Sequence, residues 1–402
     1  MTVDLIKLID KDITVTDGTR NLTVKGETKN HKVYRIPLEY LFYNDQNGRI
    51  ATWISKYNSD NNQLTLDDKE AYNDVLHGFI KGANAPAFNK TKTNIKMFGQ
   101  KIAGVVLKNG RIIDGNRRFT CLREIAAEGE DCYFNAVILD TDAGISDKDI
   151  KRLELNLQHA EERPVDYDPI DNLVDIYRDL ELNKTFTIPE YVHNVNKKKS
   201  EVEKTLKKAI LMVEFLKFIN AEGKYYIARE LNLDGPLQEM VSILNRVNDE
   251  EMEEDIKNSL FAALITSASG DLTRHIRQIG KDIIKTKNAE KFIEEYEEIV
   301  EEVYEGLQEE DNVELSTINE KISTNTQLKE KSEDIIRKKV EQNRHETVRN
   351  KPVVLLNDAL DALNAIDETF VSRMSEENKE EFEEVLQKIR ETLNVYGDKL
   401  NV

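Results

Sequence analysis

The hydrophobic period of this chain changes once, near residue 149, and that change limits its fold more than any other feature. Before it, stretches with strand period interleave with stretches of helical period; after it, nearly every apolar residue recurs at helical spacing and β-rich runs disappear. In the first part Ile13 and Val15, then Asp17-Gly18, then Leu22 and Val24 alternate around a hairpin dipeptide, which predicts a short two-stranded start. Val33 to Ile36 reads as a further strand, and Asp67 to Ile80 has helical spacing through Ala71, Val75 and Phe79. Ile102 to Leu107 reads as a buried strand that turns through Asn109-Gly110 into Ile112 and Ile113. A helix from Arg117 to about Ala127 and a strand from Phe134 to Leu139 complete a region of α+β class. At 402 residues the chain has room for two or three domains. The expected division is an α+β domain over 1–148, an all-α domain over 149–235 and an acidic helical region over 236–402.

In the helical part, Tyr296, Ile299, Val300, Val303 and Leu307 form an apolar stripe. Leu356, Leu360, Leu363, Ile366 and Phe370, then Phe382, Val385, Leu386, Ile389, Leu393 and Tyr396, predict two antiparallel helices joined near Ser375, with their stripes as ordinary bundle core. Asn312 to Asn350 is polar and weakly periodic, which reads as a linker or an exposed helix. With 39% hydrophobic and 33% charged residues, the chain has enough apolar content for real cores, which excludes disorder throughout. No apolar stretch approaches the length of a membrane span, and the start MTVDLIKLIDKDITV lacks a basic-then-apolar signal. A soluble, cytoplasmic protein without a membrane partner is therefore expected. Cys121 and Cys132 exclude a disulfide framework and lack the neighbours of a zinc site, so both read as packing residues.

The net charge of -19 argues against nucleic acid as a partner only if it is evenly spread, and it is not. Residues 90–125 carry nine bases against Asp114 and Glu124, a local +7, whereas 290–311 carry eleven acids against Lys291, a local -10. Within the basic stretch, Ile112-Ile113-Asp114-Gly115-Asn116-Arg117-Arg118 places a strand, a glycine turn and two adjacent arginines at a helix start. Free backbone N–H groups, the positive end of the helix dipole and guanidinium forks together grip phosphate oxygens. The same seven residues also suit a surface turn whose arginines pair with nearby carboxylates.

The sequence resembles the ParB partition family, whose N-terminal domain is shared in outline with sulfiredoxin-like proteins. Ile36-Pro37-Leu38 and Asn44-Asp45-Gln46-Asn47-Gly48-Arg49 resemble the family's opening segment and its N-P-x-Q-P-R box, with Asn44 and Arg49 kept. Ile95, Gly99, Val105 and Val106 fall in step with the box S-I-x-x-x-G-L-L-Q-P-I-V-V, Ala103 standing where proline is usual. Asp114 to Arg118 resembles G-E-R-R, and Asn156-Leu157-Gln158 resembles part of E-N-I-Q-R. The family's next helix start matches Pro169-Ile170-Asp171, and Pro164 fits it as well.

The resemblance implies a ParB/sulfiredoxin-like domain that binds CTP or another nucleoside triphosphate with magnesium, and a dimer that closes as a clamp on DNA. Carried over by position, it implies nucleotide binding by Gly99, Gln100, Lys101 and Ile102 and by Asp114, Gly115, Asn116, Arg117 and Arg118, with Asn156 beside the metal. Asn116 replaces a family glutamate and Leu155 replaces another, so hydrolysis is expected to be slow or absent, at most a weak CTPase. Residues 50–93 exceed the family spacing and imply an inserted helical element near the site.

Behind these boxes, Thr187-Ile188-Pro189-Glu190 and Ser200-Glu201-Val202-Glu203 both read as capping boxes, so two short helices with a break around 194–199 predict a helix-turn-helix. Val202, Leu206, Ala209 and Val213 share one face of the second helix, while Ser200, Lys204, Lys207 and Lys208 share the other, as a helix in a major groove needs. Asn194 or Asn196 suits a left-handed turn, and Lys197, Lys198 and Lys199 suit phosphate contacts. An ordinary helix pair with a solvated lysine face fits the same pattern.

The leading expectation is a nucleotide-gated, double-stranded-DNA-binding ParB-like homodimer of prokaryotic, plasmid or phage type. Two other classes stay open. One is a nucleotide-dependent enzyme on the same fold, a small-molecule kinase or nuclease, for which Asp114, Glu154 and Glu161 are candidate carboxylates. The other is an acidic protein-interaction module built on the C-terminal half.

Overall fold

The computed structural model describes residues 3–60, 62–159, 168–267 and 270–400; Glu161 and Pro164 lie outside them. The chain forms two units, Met1–Ile336 and Arg337–Val402. The first opens with strands β1 (Thr14–Val24) and β2 (Glu27–Pro37), continues through helices α1 (Ala51–Ser59), α2 (Lys69–Ala83) and α3 (Ala85–Phe98), and returns to β3 (Gly104–Leu107) and β4 (Ile112–Asp114). Helix α4 (Asn116–Ala127), strand β5 (Tyr133–Leu139) and helix α5 (Asp147–His159) follow. The five strands form one sheet in the order β1-β2-β5-β3-β4, with β3 and β5 parallel and the other neighbours antiparallel.

Period-two alternation explains how the sheet buries both faces. Phe134, Ala136, Val106 and Ile112 join a core with Tyr43, Leu76, Phe88 and Phe119 under α2 to α4. Val105, Leu107, Ile113, Val137 and Leu139 point the other way, into a second core with Leu22, Val33, Ile150 and Leu153 of α5. Cys121 belongs to the first core, where burial pushes its thiol up to about 12 and keeps it unreactive. The turn at Asn109-Gly110 forms as expected, with Gly110 at φ +91° and Asn109 Oδ1 accepting from the Arg111 N–H.

The first hairpin differs from expectation. β1 runs straight through Asp17-Gly18, and the turn lies at Lys25-Gly26, whose φ values of +54° and +78° are those of a two-residue turn of the type that matches strand twist. Asp17-Gly18 instead marks a register shift between Val15 and Thr19, with the Thr16 hydroxyl accepting from the Gly18 N–H.

From α6 (Pro169–Tyr177) onward the first unit is helical: α7 (Ile188–Val195), α8 (Lys199–Phe218), α9 (Tyr225–Glu230), α10 (Asp234–Leu244), α11 (Glu250–Thr266), α12 (Leu272–Ile279), α13 (Ala289–Gln308) and α14 (Leu315–Ile318). Tyr296, Ile299, Val303 and Leu307 of α13 are fully buried, so the acidic helix carries an ordinary core stripe. The expected boundaries at 148 and 235 do not separate compact units. The inserted segment supplies the reason, because α1 is pinned to the helical part. The Thr52 N–H donates to Asp171 Oδ1 at 2.8 Å, Ser55 Oγ donates to Gly223 O at 2.6 Å, and the Arg229 guanidinium lies 4.9 Å from the Trp53 ring centroid.

Helix α15 (Thr326–Asn364), α16 (Glu368–Val371) and α17 (Glu376–Leu400) complete the chain. In the first unit, α15 buries Leu328, Ser332 and Ile336, so the polar stretch from 312 is packed helix as far as the unit extends. In the second unit the expected closed helical hairpin is absent. Leu356, Leu360 and Phe370 remain 52%, 54% and 66% exposed, and Val385 and Tyr396 about as much at 48% and 53%. The stripes are apolar at helical spacing, but α15 and α17 do not bury them against each other. Among the described residues no helix is long and apolar enough to cross a membrane.

Candidate functional site

The strand β4 ends at Asp114, the chain reverses through Gly115, and α4 begins at Asn116. Gly115 sits at φ +102°, a conformation that a side chain strains, and a Cβ there would come within 2.8 Å of the Phe134 ring and 3.1 Å of Arg118 Nη2. Glycine therefore lets the Arg118 guanidinium lie directly over the turn. The first N–H groups of α4 stand free of helical partners at this point, as at every helix start.

The turn opens onto a cleft of about 280 Å³ lined by Asn47, Arg49, Ile102, Asp114, Gly115, Asn116, Arg117, Arg118, Glu154, Gln158, Asp168 and Asp171. Arg118 Nη2 donates to Asp114 Oδ2 at 3.0 Å, and Arg20 Nη1 donates to the same oxygen at 2.7 Å. Arg118 thus meets a carboxylate, as in a surface turn, and Arg117 and Arg118 both line the cleft. Asn116 is buried, and its Oδ1 accepts no hydrogen bond among the described residues.

Two carboxyls stand deep beside these cations. Glu154 is buried and pushed up to about 7 by burial; its Oε1 accepts from Gln158 Nε2 at 3.2 Å and Asn44 Nδ2 at 3.4 Å. Asp171 is buried and likewise pushed up to about 7 by burial, against the opposing pull of the Thr52 N–H. Asp168 pairs with Arg229 at 3.2 Å. At neutral pH the acids of the cleft are thus partly neutral or paired. Among the described residues no group of three or more His, Cys, Asp or Glu side chains is placed to hold a metal ion.

Of the residues expected at the nucleotide, Ile102 and Asp114 to Arg118 come together on the cleft, whereas Gly99, Gln100 and Lys101 are not among its lining residues. Gln100 is spent on structure: its Nε2 donates to Ile102 O and Asn135 O, and its Oε1 accepts from the Asn135 N–H. Lys101 Nζ rests 4.5 Å from the Phe98 ring centroid. Gly99, at φ +70°, closes α3 with its N–H on Ile95 O. Asn156, expected beside a metal, does not line the cleft, while Glu154 and Gln158 do. Two residues along a helix is a rotation of about 200°, so the two positions cannot share a face, while Glu154 and Gln158 at i and i+4 can. Helical phase is the signal that separates Glu154, already a candidate carboxylate, from Asn156. No local pattern marks Arg20, and Asp171 was marked only as part of a helix start; their places at the cleft depend on distant strands and helices.

The expected helix-turn-helix forms in part. Thr187 and Glu190 make a complete capping box at α7, and Asn196 takes the left-handed turn at φ +51°. The second capping box does not form: α8 starts two residues early, with Lys198 at its N-cap, so Ser200 already lies inside the first turn. Nor is α8 short, since its 20 residues run on to bury Leu211, Met212, Phe215 and Leu216. The lysine face is divided. Lys208 Nζ meets Asp234 Oδ1 of α10 at 2.6 Å with its side chain only 13% exposed, and Lys207 Nζ donates to Asn245 Oδ1 at 2.6 Å. Lys197 and Lys199 pair along the helix with Glu201 and Glu203 at 3.4 and 3.5 Å. Lys198, Lys199, Ser200 and Lys204 stay exposed, as does Lys207 beside its Asn245 partner. The sequence matches no family model, and it matches no curated protein.

Proposed function

We propose that the chain is a nucleotide-binding protein with a ParB-like N-terminal fold, in which a nucleoside triphosphate, CTP in the first instance, lays its phosphates in the cleft and gates engagement of double-stranded DNA. The observation that carries this reading is the convergence of Arg49, Arg117, Arg118 and the start of α4 on one cleft. Three guanidiniums and a helix N-terminus fit the charge of a triphosphate. Magnesium would be held chiefly by the phosphates themselves, with Glu154 and Asp171 as the carboxyls of the cleft not paired with an arginine among the described residues, in keeping with the ion's habit of taking one or two protein ligands. When bound, the ion would neutralise phosphate charge beside those acids. DNA contact falls to the exposed part of the turn, Lys198, Lys199, Ser200 and Lys204, because Lys207 and Lys208 are held by Asn245 and Asp234. The exposed stripes of the C-terminal unit offer the apolar surface that a homodimer needs.

A second reading, phosphoryl transfer to a small hydroxyl substrate, is favoured by one observation: Glu154 lies in the cleft with its carboxyl raised to about 7, where a general base works best. Filter binding with labelled CTP, ATP and duplex DNA, each with and without magnesium, tests both. Retention of nucleotide and of DNA without turnover supports the gated binder; phosphate transfer to an added alcohol or nucleoside supports the enzyme; retention of neither nucleotide nor DNA rejects both.

A further inference from the structure

Arg20 lies outside every sequence box that pointed to the cleft, in the middle of an edge strand, yet it reaches the centre of the arginine turn. Its Nη1 donates to Asp114 Oδ2 at 2.7 Å and also to Ala103 O, the residue just before β3. Arg118 Nη2 donates to the same Asp114 oxygen at 3.0 Å. One carboxylate oxygen is therefore shared by two guanidiniums, one from strand β1 and one from helix α4, and all three side chains are four-fifths or more buried. Only Arg118 of the two lines the cleft.

A carboxylate removed from water holds its cation tightly and is costly to leave unpaired. If Asp114 had Arg118 alone, turning that guanidinium toward a phosphate would strand a mostly buried negative charge next to an arriving polyanion. With Arg20 in place, Asp114 stays paired and hydrogen-bonded whichever way Arg118 turns. We propose that Arg20 is a positioning residue for the cleft: it keeps Asp114 satisfied so that Arg118 is free to transfer its fork to a ligand phosphate. This inference rests on the nucleotide reading above. It also makes the β1–β2 hairpin part of the site, since the strand that carries Arg20 is held to the turn by the same contact.

The test is a double-mutant cycle on the full chain, read by calorimetric titration with inorganic tripolyphosphate and with CTP plus magnesium. Arg20→Gln is expected to weaken tripolyphosphate binding about tenfold, the scale of one interaction between charged groups, although Arg20 touches no ligand. Asp114→Asn placed in the Arg20→Gln background is expected to restore binding, because no carboxylate is left to hold Arg118 back. Arg20→Lys, which keeps a cation beside Asp114, is expected to retain affinity to within about threefold, because an ammonium still donates to the carboxylate and balances its charge. A purely structural role would give losses that add in the double variant instead of cancelling. Binding by the unmodified chain together with an unchanged Arg20→Gln affinity, an additive double variant, or an Arg20→Lys loss as large as that of Arg20→Gln overturns the inference alone. Failure of the unmodified chain to bind tripolyphosphate or CTP overturns the nucleotide reading and this inference together.

Discussion

Replacing Gly115 with alanine perturbs the turn at its tightest point, and the structure separates two costs. The first is conformational: at φ +102° a Cβ crowds the backbone, at about 1–2 kcal/mol. The second is steric, because the new methyl would come within 2.8 Å of the Phe134 ring and 3.1–3.2 Å of the Arg118 fork. Phe134 is fully buried between Phe119 and the sheet, so it cannot yield cheaply, and overpacking of this kind adds about 1–3 kcal/mol. Gly129 supplies the control, since its φ is +97° but a Cβ there would meet nothing within 4 Å. Gly129→Ala is therefore expected to cost about 1–2 kcal/mol and Gly115→Ala about 2–5 kcal/mol, read from urea midpoints at constant slope. Since Arg118 must also move, Gly115→Ala is expected to lose tripolyphosphate affinity while Gly129→Ala keeps it. Equal midpoints for the two variants, or unchanged affinity in Gly115→Ala, would refute the packing argument.

Lys208→Ala is expected to lower stability by breaking its contact with Asp234 while leaving duplex binding nearly intact, whereas joint replacement of Lys198, Lys199 and Lys204 is expected to abolish a gel shift; the reverse pattern would mean that α8 presents its other face to DNA. Glu154 and Asp171, both raised by burial to about 7, bind protons in the folded chain that they release when unfolded, so stability is expected to fall as pH rises from about 4.5 through 7, by thermal melting. For the same reason triphosphate affinity is expected to be weaker at pH 8 than at pH 6, with Glu154→Gln flattening the trend; a Glu154→Gln profile that overlays the parent excludes Glu154 as the source. Light scattering is expected to give a dimer that Leu360→Glu converts to monomer, and a monomeric parent with and without nucleotide and DNA would contradict the use of the exposed stripe.

What the sequence made legible was whatever is set by near neighbours. Strand β5, the Asn109-Gly110 turn and the start of α4 follow from alternation and from the glycine each reversal needs and are found within a residue of where they were expected, whereas β3 starts at Gly104 and leaves Ile102, expected inside it, exposed. Asp17-Gly18 misled because a dipeptide competent to turn does so only if the partner strand's register asks for it, and the register here places the turn at Lys25-Gly26. The glycine turn and its two arginines were legible in the sequence, but the second partner of Asp114 was not: Asp114 is held by Arg20, 94 positions earlier in sequence. Lys208 looked solvated on its own helix because its partner, Asp234, comes 26 positions later. Asn156 followed from a motif match taken without helical phase; on α5 it is Glu154 and Gln158, four residues apart, that line the cleft.

The central claim, a triphosphate bound at the arginine turn, is tested most directly by calorimetric titration of CTP with magnesium into the unmodified chain and into Arg117→Ala. The account predicts saturable binding by the unmodified chain and a loss of at least about 1.5–3 kcal/mol in Arg117→Ala, the scale of hydrogen bonds to a charged group, with the fold of the variant unchanged by circular dichroism. Equal affinity in the two proteins, or no heat of binding in either, would contradict it.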